Sequence, residues 1–484
     1  MMEALRGLGY STSTALADIV DNSISAGASE VRLHFDWDGA NSRISILDNG
    51  LGMSDAGLEA AMTLGSINPL NERSSSDLGR FGMGLKTASF SQCRSLTVAS
   101  KNEGGKIICL RWDLDAIADD PELGWRMFEG PALGSEGLIE PLNAVRSGTL
   151  VLWQKMDRVV TLGSDLDHFA DLVDDVESRL AMIFHRLIEG PRPDFRLFIN
   201  NRPVSAWNPF MTGHPAKPWE SPVAKIKTPS GLVEVQCHVL PHKDRLSEAD
   251  FHKAGGPEGW ISQQGFYVYR NRRLLLAGGW LGLGQGRAWN REESHRLARI
   301  QVDIPNSADA DWKIDVKKST ARPPVFIRSK LTDLAENTRD RARKVFAFRG
   351  SPTLGLGGEQ IEHTWRVEHL RNGIRYRVSE GHPAIMAVIE ACGDRKDLVR
   401  AMLRVIEETV PVQRIWLDTA ENKDTPKTGF DGEPSDAVLE VASILFNDLV
   451  ERKGFSIEDA RKSMLRTEPF QKYPLLIAKL GRLE

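Results

Sequence analysis

Two oxygen-bearing side chains, Asp18 and Asn22, stand four residues apart in the segment Asp18-Ile-Val-Asp-Asn22. Residues at this spacing share one face of an α-helix, and the neighbouring apolar residues recur at helical intervals. A carboxylate can orient and deprotonate an attacking water, and an amide oxygen suits Mg²⁺. The pair therefore predicts a general base and a metal ligand on one helix, although two solvent-exposed helical residues would give the same pattern.

A second carboxylate, Asp48, begins the segment Asp48-Asn-Gly-Leu-Gly-Met53 at the end of a predicted strand. A carboxylate can accept a hydrogen bond from the exocyclic amine of adenine. Gly50 and Gly52 allow the backbone to approach a base and its ribose closely. Taken alone, the segment is more often a plain hairpin or loop.

The third segment is rich in glycine and runs Gly79-Arg-Phe-Gly-Met-Gly-Leu-Lys86. Its glycines permit a tight loop, and the helix predicted from Leu85 would direct its N-terminus at an anion such as phosphate. Lys86 adds a positive charge. Residues 65–77, which precede this segment, are polar and rich in turn formers, and they predict a mobile lid. The three segments, in this order, predict a joint site for ATP and Mg²⁺.

The apolar pattern predicts the elements that must position these segments. Apolar residues at helical spacing predict a helix over 15–26, and alternating residues predict a strand hairpin with its turn at 37–41. The predicted strands of this first part are 31–35, 43–47, 95–99, 106–112 and 148–153, and a helix over 166–184 closes it.

The rest of the chain predicts two further domains. Strands and helices alternate from 190 to 350, and 351–358 has the composition of a linker. We predict domains at 1–188, 189–350 and 361–484, the last mostly helical. The predicted elements beyond 190 are a strand running into a turn at 265–273, strands at 300–304 and 312–316, a helix at 326–347, two strands after 361, helices at 383–392 and 396–408, a break at 422–435 and a helical end.

Composition places the chain among globular proteins. Of 484 residues, 41% are hydrophobic and 26% are charged, and the four cysteines are scattered, which favours a reducing, cytoplasmic setting. We find no apolar run long enough for a membrane span and no secretory signal pattern. The net charge is −4, yet residues 261–350 hold 18 Lys or Arg against 9 Asp or Glu. This surplus indicates either an acidic partner such as DNA or a solvated helix face.

Together these motifs resemble the Bergerat-fold ATPases, the GHKL superfamily that includes gyrase, the ninety-kilodalton heat-shock chaperones, histidine kinases and MutL. The resemblance covers residues 10–155. It implies an α/β (α+β) sandwich for the ATPase domain, with ATP and Mg²⁺ as cofactors. The family's base is usually glutamate, whereas this chain has the shorter Asp18, so slow hydrolysis is expected.

The resemblance also implies roles for individual residues. Asp18 would be the general base, Asn22 the magnesium ligand and Asp48 the adenine-binding carboxylate, with Thr149 supporting the adenine. The residues that the resemblance assigns to ATP binding are Asn22, Asp48, Gly50, Gly52, Met53, Gly79, Arg80, Phe81, Gly82, Met83, Gly84, Leu85, Lys86 and Thr149.

Within the superfamily, the motifs Met62-Thr-Leu-Gly-Ser66 and Gly79–Phe90 are most similar to those of MORC ATPases and their bacterial relatives. The segment 312–324 resembles the switch segment of the "transducer" domain in gyrase and MutL. Lys317 or Lys318 would then contact the γ-phosphate, although a lysine in such a loop is otherwise a surface charge. Tyr267–Arg273 also resembles the transducer, and its arginines fit a DNA-facing surface or a solvated turn equally well.

The resemblance implies an ATP-operated clamp that dimerises on nucleotide binding and acts on DNA, with bacterial DNA processing or antiphage defence as its expected setting. Two alternatives remain open: a chaperone-like ATPase acting on proteins, and an ATP-binding pseudo-enzyme that switches partner binding. A histidine kinase is disfavoured because only a short segment precedes the first motif and the histidines lie later.

Overall fold

A computed structural model gives the structure of the chain, which divides into two compact units, Met1–Gly350 and Ser351–Glu484. The boundary predicted at 188/189 lies inside the first unit and stays a prediction. The residues that the structure describes are 6–7, 9–63, 84–119, 126–191, 193–308, 311–314, 321–347, 362–370, 373–413, 415 and 436–481.

A mixed sheet forms one part of the first unit. In the described residues its eight strands follow the order β5-β4-β3-β6-β2-β1-β7-β8, with β1 and β7 parallel. Alternate residues of β1 and β2 are buried, as the period of two in their sequences predicts. The strands are β1 (Glu30–Asp36), β2 (Arg43–Asp48), β3 (Ser95–Lys101), β4 (Ile108–Asp113), β5 (Phe128–Glu129), β6 (Gly148–Gln154), β7 (Arg196–Ile199) and β8 (Arg202–Pro203).

Helices pack against this sheet around a shared apolar core. The first of them, α1 (Thr12–Ser25), begins after Ser11, whose hydroxyl accepts a hydrogen bond from the N–H of Thr14 and so caps the helix. Its residues Leu16, Ile19 and Val20 are buried. The other helices of this part are α2 (Asp55–Met62), α3 (Gly84–Phe90), α4 (Leu114–Asp119), α5 (Leu166–Ile183) and α6 (His185–Ile188).

A second sheet follows in the same unit, with the order β10-β11-β14-β12-β13 and β9 beside β11. One of its faces forms a separate apolar core with the long helix α9 (Val325–Ala347). The remaining elements are β9 (Trp219–Glu220), β10 (Ala224–Thr228), β11 (Gly231–Val239), α7 (Glu248–Gly255), α8 (Gly259–Ser262), β12 (Gly265–Arg270), β13 (Arg273–Ala277) and β14 (Ala298–Ile304).

A two-residue turn, Asn271-Arg272, joins β12 to β13. Both residues have positive φ, 48° and 67°, and Arg270 pairs with Arg273 across the hairpin. Two positive φ angles are typical of the turn whose twist matches that of the flanking strands. The turn therefore fixes Arg273 as the first residue of β13.

The strand predicted at 312–316 is wrong over its described residues, because 311–313 form a turn and 314 lies outside any strand. Trp312 and Ile314 are both buried, which explains the alternating pattern. Lys313 between them has a φ of 47°, which an extended strand does not allow. The N–H of Trp312 donates to the carbonyl of Ala308 at 3.0 Å instead of to a neighbouring strand.

The second unit combines one hairpin with helices, and its apolar core joins Ala387 to the helices of residues 436–480. The carboxylate of Glu407 accepts the N–H of Val378 at 2.8 Å and thereby ties a helix to the hairpin. The elements are β15 (Trp365–Leu370), β16 (Gly373–Val378), α10 (Pro383–Ala391), α11 (Lys396–Thr409), α12 (Asp436–Asn447), a π-helix (Asp448–Arg452), α13 (Ile457–Leu465) and α14 (Pro474–Ile477).

Among the residues that the structure describes, none of the helices has both the length and the apolar character needed to cross a membrane.

Candidate nucleotide site

The carboxylate of Asp48 is held at the end of β2 by three donors. Its Oδ1 accepts the N–H of Gly50 at 2.9 Å and the N–H of Thr149 at 3.0 Å. Its Oδ2 accepts the hydroxyl of Ser23 at 2.8 Å. Ser23 belongs to α1, and Thr149 belongs to β6, so Asp48 joins three elements at one point.

The remaining acceptor capacity of Asp48 suits a ligand. A carboxylate offers about four lone-pair positions, and the three donors above take three of them. The side chain is buried, with 6% of the residue exposed. One position therefore remains for a hydrogen bond from a group such as the adenine amine, and the carboxylate is already oriented to accept it.

Burial raises the pKa of Asp48 above its usual range, while the hydrogen bonds from Gly50, Ser23 and Thr149 oppose the rise. The ionised form is the one that can accept a hydrogen bond from an amine at both oxygens. Protonation on acidification would thus remove an acceptor at a higher pH than for an ordinary aspartate. Because the folded-state pKa is raised, protonation of Asp48 favours the folded state, and its acid titration does not itself promote unfolding.

We expect Asp48→Asn to weaken binding of a fluorescent ATP analogue by roughly 10- to 100-fold, the value of a hydrogen bond to a charged group. We also expect wild-type affinity to fall on acidification through the raised pKa. Titration at several pH values measures both. Asp36→Asn is the matched control, because Asp36 ends the adjacent strand and pairs with Arg43 at the surface. Equal affinities for Asp48→Asn and the control would contradict the assignment.

Gly50 and Gly52 both lie so close to other backbone atoms that a side chain would collide with them. A Cβ on Gly50 would stand 2.9 Å from the carbonyl oxygen of Ala26, at the end of α1. Gly52 has a φ of 67°, and a Cβ there would stand 2.0 Å from the carbonyl oxygen of Lys101. The two glycines thus allow the segment after Asp48 to pack between α1 and the end of β3.

Gly52→Ala should therefore lower the free energy of unfolding by more than the roughly 1–2 kcal/mol that a positive φ costs an L-residue. Gly39→Ala is the control, since Gly39 has a φ of 52° and nothing within 4 Å of a Cβ. Urea unfolding of both variants separates the cost of the backbone conformation from that of the overlap. A Gly52→Ala variant no less stable than Gly39→Ala would contradict this packing.

Hydroxyl groups link the strand ends around Asp48. Thr149, beyond its backbone N–H, shares a hydrogen bond of 3.0 Å with the hydroxyl of Ser100 on β3. Ser100 in turn accepts the N–H of Met53 at 2.9 Å and donates to the carbonyl of Gly148 at 3.1 Å. The predicted residues Asp48, Gly50, Met53 and Thr149 therefore lie in one connected network.

Helix α1 presents its polar residues in different directions. Asp18 is buried, with 6% exposed, and its Oδ1 lies 4.0 Å from Nη2 of Arg273 on β13. Ser23, which contacts Asp48, is five residues later and therefore about 140° around the helix axis from Asp18. Asn22 is exposed and lies between these two directions. Asn22 is thus open to a bound ligand, whereas Asp18 faces the second sheet.

The helix after the glycine-rich segment packs against α1. Gly84 is its first residue, and Leu85 packs against the first core. The amine of Lys86 donates to the carbonyl of Thr63 at 2.5 Å, and burial lowers the pKa of Lys86. Lys86 therefore ties α3 to the end of α2.

Several predicted residues lie outside the described part of the chain, and their roles stay predictions. They are Gly79, Arg80, Phe81, Gly82, Met83, Lys317 and Lys318, together with the lid predicted at 65–77.

Sequence reasoning missed three groups of this site: Ser23, Ser100 and Arg273. Ser23 directly follows the first motif, and the helical spacing places it on the opposite side from Asp18. No local signal indicates Ser100 or Arg273, because their contacts join residues far apart in sequence.

Residues 10–132 match a protein-family model described as histidine kinase-, DNA gyrase B-, and HSP90-like ATPase. This match supports the GHKL superfamily for that part of the chain, in agreement with the mixed α/β sheet. It includes Asp18, Asn22 and Asp48, and Thr149 lies beyond it. The search of curated proteins found no match to the chain.

Proposed function

We propose that the first unit binds ATP with Mg²⁺ and hydrolyses it slowly. The observation that carries this proposal is the fixed carboxylate of Asp48, with donors on three of its acceptor positions and one position left for a ligand amine. The family match over residues 10–132 supports the same class of ligand. Gly50, Gly52, Met53 and Thr149 would surround the base through the network described above.

Asn22 would hold the metal, because its amide is exposed on α1 one residue before the contact between Ser23 and Asp48. Mg²⁺ commonly takes only one or two protein oxygens and completes its shell with phosphate and water, so a single amide fits. When bound, the ion would neutralise charge on the phosphates. The backbone of Gly79–Lys86 is proposed to contact the phosphates, while the amine of Lys86 is held by the carbonyl of Thr63. Lys317 or Lys318 would reach the γ-phosphate.

Asp18 is proposed as the general base. It would take one proton from the water whose oxygen bonds to the γ-phosphorus, while the bond to the bridging oxygen breaks to give ADP and phosphate. A buried carboxylate one turn before Asn22 can serve this role if the helix presents it to the water.

We further propose that ATP closes two copies of the chain into a clamp of the MORC or MutL kind, with DNA as the client, in bacterial DNA processing or antiphage defence. The energy for closure would come from better contacts of ATP with the closed state. Among the described arginines of 261–350, Arg270, Arg273, Arg296, Arg299 and Arg339 are buried. A DNA surface would therefore rely on exposed cations, such as Arg341, Arg343 and Lys344 on α9.

A second candidate is an ATP-binding module without appreciable hydrolysis, which switches the binding of a partner. The observation that favours it is the position of Asp18, which is buried and faces Arg273. In this state of the chain the carboxylate is turned toward the second sheet. The chaperone-like alternative differs in its client, which would be a protein and not DNA.

Sedimentation velocity with and without a non-hydrolysable ATP analogue, repeated with duplex DNA, tests the proposal. We expect the analogue to convert monomer to dimer in the wild type and not in Asp48→Asn. A DNA client requires an affinity that falls steeply with salt. An unchanged sedimentation coefficient despite saturating analogue would refute nucleotide-driven dimerisation. Salt-insensitive or absent DNA binding would favour a protein client.

A further inference from the structure

A buried arginine joins the second sheet to helix α1. Arg273, with 2% of the residue exposed, places Nε 3.1 Å from both oxygens of Asp21 and Nη2 3.1 Å from Asp21 Oδ2. Its Nη1 donates to the carbonyl of Leu274 at 2.7 Å. The guanidinium is thus fixed by several hydrogen bonds, and Asp18 lies at 4.0 Å from its Nη2.

The arginine comes from an element that is distant in sequence. Asp21 and Arg273 are 252 residues apart, and Arg273 is the first residue after the Asn271-Arg272 turn. Only the two turn residues separate Arg273 from β12. A displacement of the hairpin would therefore move the guanidinium with it. The distance between Arg273 and α1 therefore reports the position of the second sheet.

Space for such a displacement exists beside the contact. A cavity of about 180 Å³ lies between α1, α5 and β13, and Ala17, Met182, Arg273 and Leu275 are among its lining residues. The cavity is partly open to solvent, so the hairpin can shift here without displacing a close-packed core. Ala17, which lines the cavity, directly precedes the residue proposed as the base.

We propose that Arg273 is a positioning residue for Asp18, through which the hairpin of the second sheet controls the hydrolytic step. The inference rests on the proposed function, because it takes Asp18 as the base. Asp21 anchors the guanidinium, and the guanidinium then sets the orientation and charge surroundings of Asp18, which is one helical turn away. Arg273 acts on hydrolysis through Asp18 and takes no part in holding the adenine.

The variants must separate this role from a structural one. Arg273→Gln alone would leave two buried carboxylates without their cation and threatens folding. We therefore pair it with Asp21→Asn, which removes the anchoring charge at the same time. Arg273→Lys keeps the charge without the fork geometry. Arg272→Gln is the matched control, since Arg272 is exposed and pairs with Asp194 at 2.5 Å.

The readouts are the Kd of a fluorescent ATP analogue and the kcat for release of phosphate. For the double variant we expect kcat to fall about tenfold or more with Kd within about threefold, the pattern of a group that acts beyond ground-state binding. Arg273→Lys should recover part of kcat, and Arg272→Gln should match the wild type in both quantities.

The results separate a failure of the role of Arg273 from a failure of the proposed hydrolysis. A double variant that folds, binds the analogue and keeps wild-type kcat overturns the role of Arg273 and leaves the proposed function intact. A rise in Kd that parallels the fall in kcat also overturns the role of Arg273, because that result indicates a structural role. A wild-type protein that does not hydrolyse ATP overturns the proposed hydrolysis and this inference together.

Discussion

Substitution of Asp18 by Ala is expected to lower the kcat for ATP hydrolysis by roughly 10²- to 10⁴-fold, the usual contribution of general-base catalysis. Affinity for an ATP analogue should change little, because Asp18 lies about 140° around α1 from the residue that contacts Asp48. The folded state should tolerate the change, since Arg273 keeps its three contacts with Asp21. Phosphate release and analogue titration on one preparation measure both quantities.

Two further variants at this position sharpen the result. Asp18→Asn keeps the shape and removes the charge, so it should be as inactive as Asp18→Ala. Asp18→Glu restores a carboxylate with one more methylene, the residue usual in the GHKL superfamily, and should remain active. Hydrolysis that is measurable in the wild type and unchanged in Asp18→Ala would show that another group is the base.

Much of the fold follows from short-range patterns. The helix predicted at 15–26 is observed at Thr12–Ser25, and the predicted strands at 31–35 and 43–47 are observed as β1 and β2. These elements have one buried face each, so their apolar residues repeat with the period of the element. The segment 312–314 has the same alternation without a strand, because Lys313 turns the chain between two buried side chains.

The contacts that build the site depend on long-range topology. The hydrogen bond between Thr149 and Asp48 spans 101 residues, and that between Arg273 and Asp21 spans 252. Motif resemblance predicts that Asp48 and Thr149 act together, but it gives no reason to expect that Asp18 faces an arginine of the second sheet. That contact requires the packing of β13 against α1, which the local sequence of neither element predicts.

Charge distribution along the sequence also differs from charge on the surface. The surplus of Lys and Arg in 261–350 predicts either a DNA-binding surface or a solvated face. Arg299 is fully buried, and Arg339 lies over Trp280 and Trp289 at 4.6 Å from each ring centroid. Such arginines contribute to packing and cation–π contacts, so a count of basic residues overstates the charge available to a partner.

The second large effect is expected on acidification, through two buried histidines. Burial lowers the pKa of His238 to about 4, and burial together with the charge of Arg339 lowers that of His295 to about 4. An unfolded histidine titrates near 6.5, so the unfolded chain takes up protons first as the pH falls. The stabilisation is complete above about pH 6.5 and is lost progressively down to about pH 4.

For each histidine, the free energy of unfolding falls by roughly 2 kcal/mol at pH 5 and roughly 3 kcal/mol at pH 4, at 1.36 kcal/mol per pKa unit. His238 is the sharper test, because it is 2% exposed and its ring lies 4.5 Å from that of Phe210. His238→Leu removes the titrating group and keeps an apolar side chain there. Between pH 7 and pH 5, the free energy of unfolding of this variant should therefore fall by roughly 2 kcal/mol less than that of the wild type. Urea unfolding at the two pH values measures the difference.

His168→Gln supplies the control for this experiment. His168 is exposed, and its hydrogen bond with Asp165 raises its pKa, so its protonation favours the folded state on acidification. Removing it should leave the acid loss of stability in place or increase it slightly, whereas removing His238 should reduce it. Equal pH dependence in His238→Leu and the wild type would show that the imidazole of His238 gains a proton in the folded protein without cost. The acid sensitivity of the chain would then have to come from other groups.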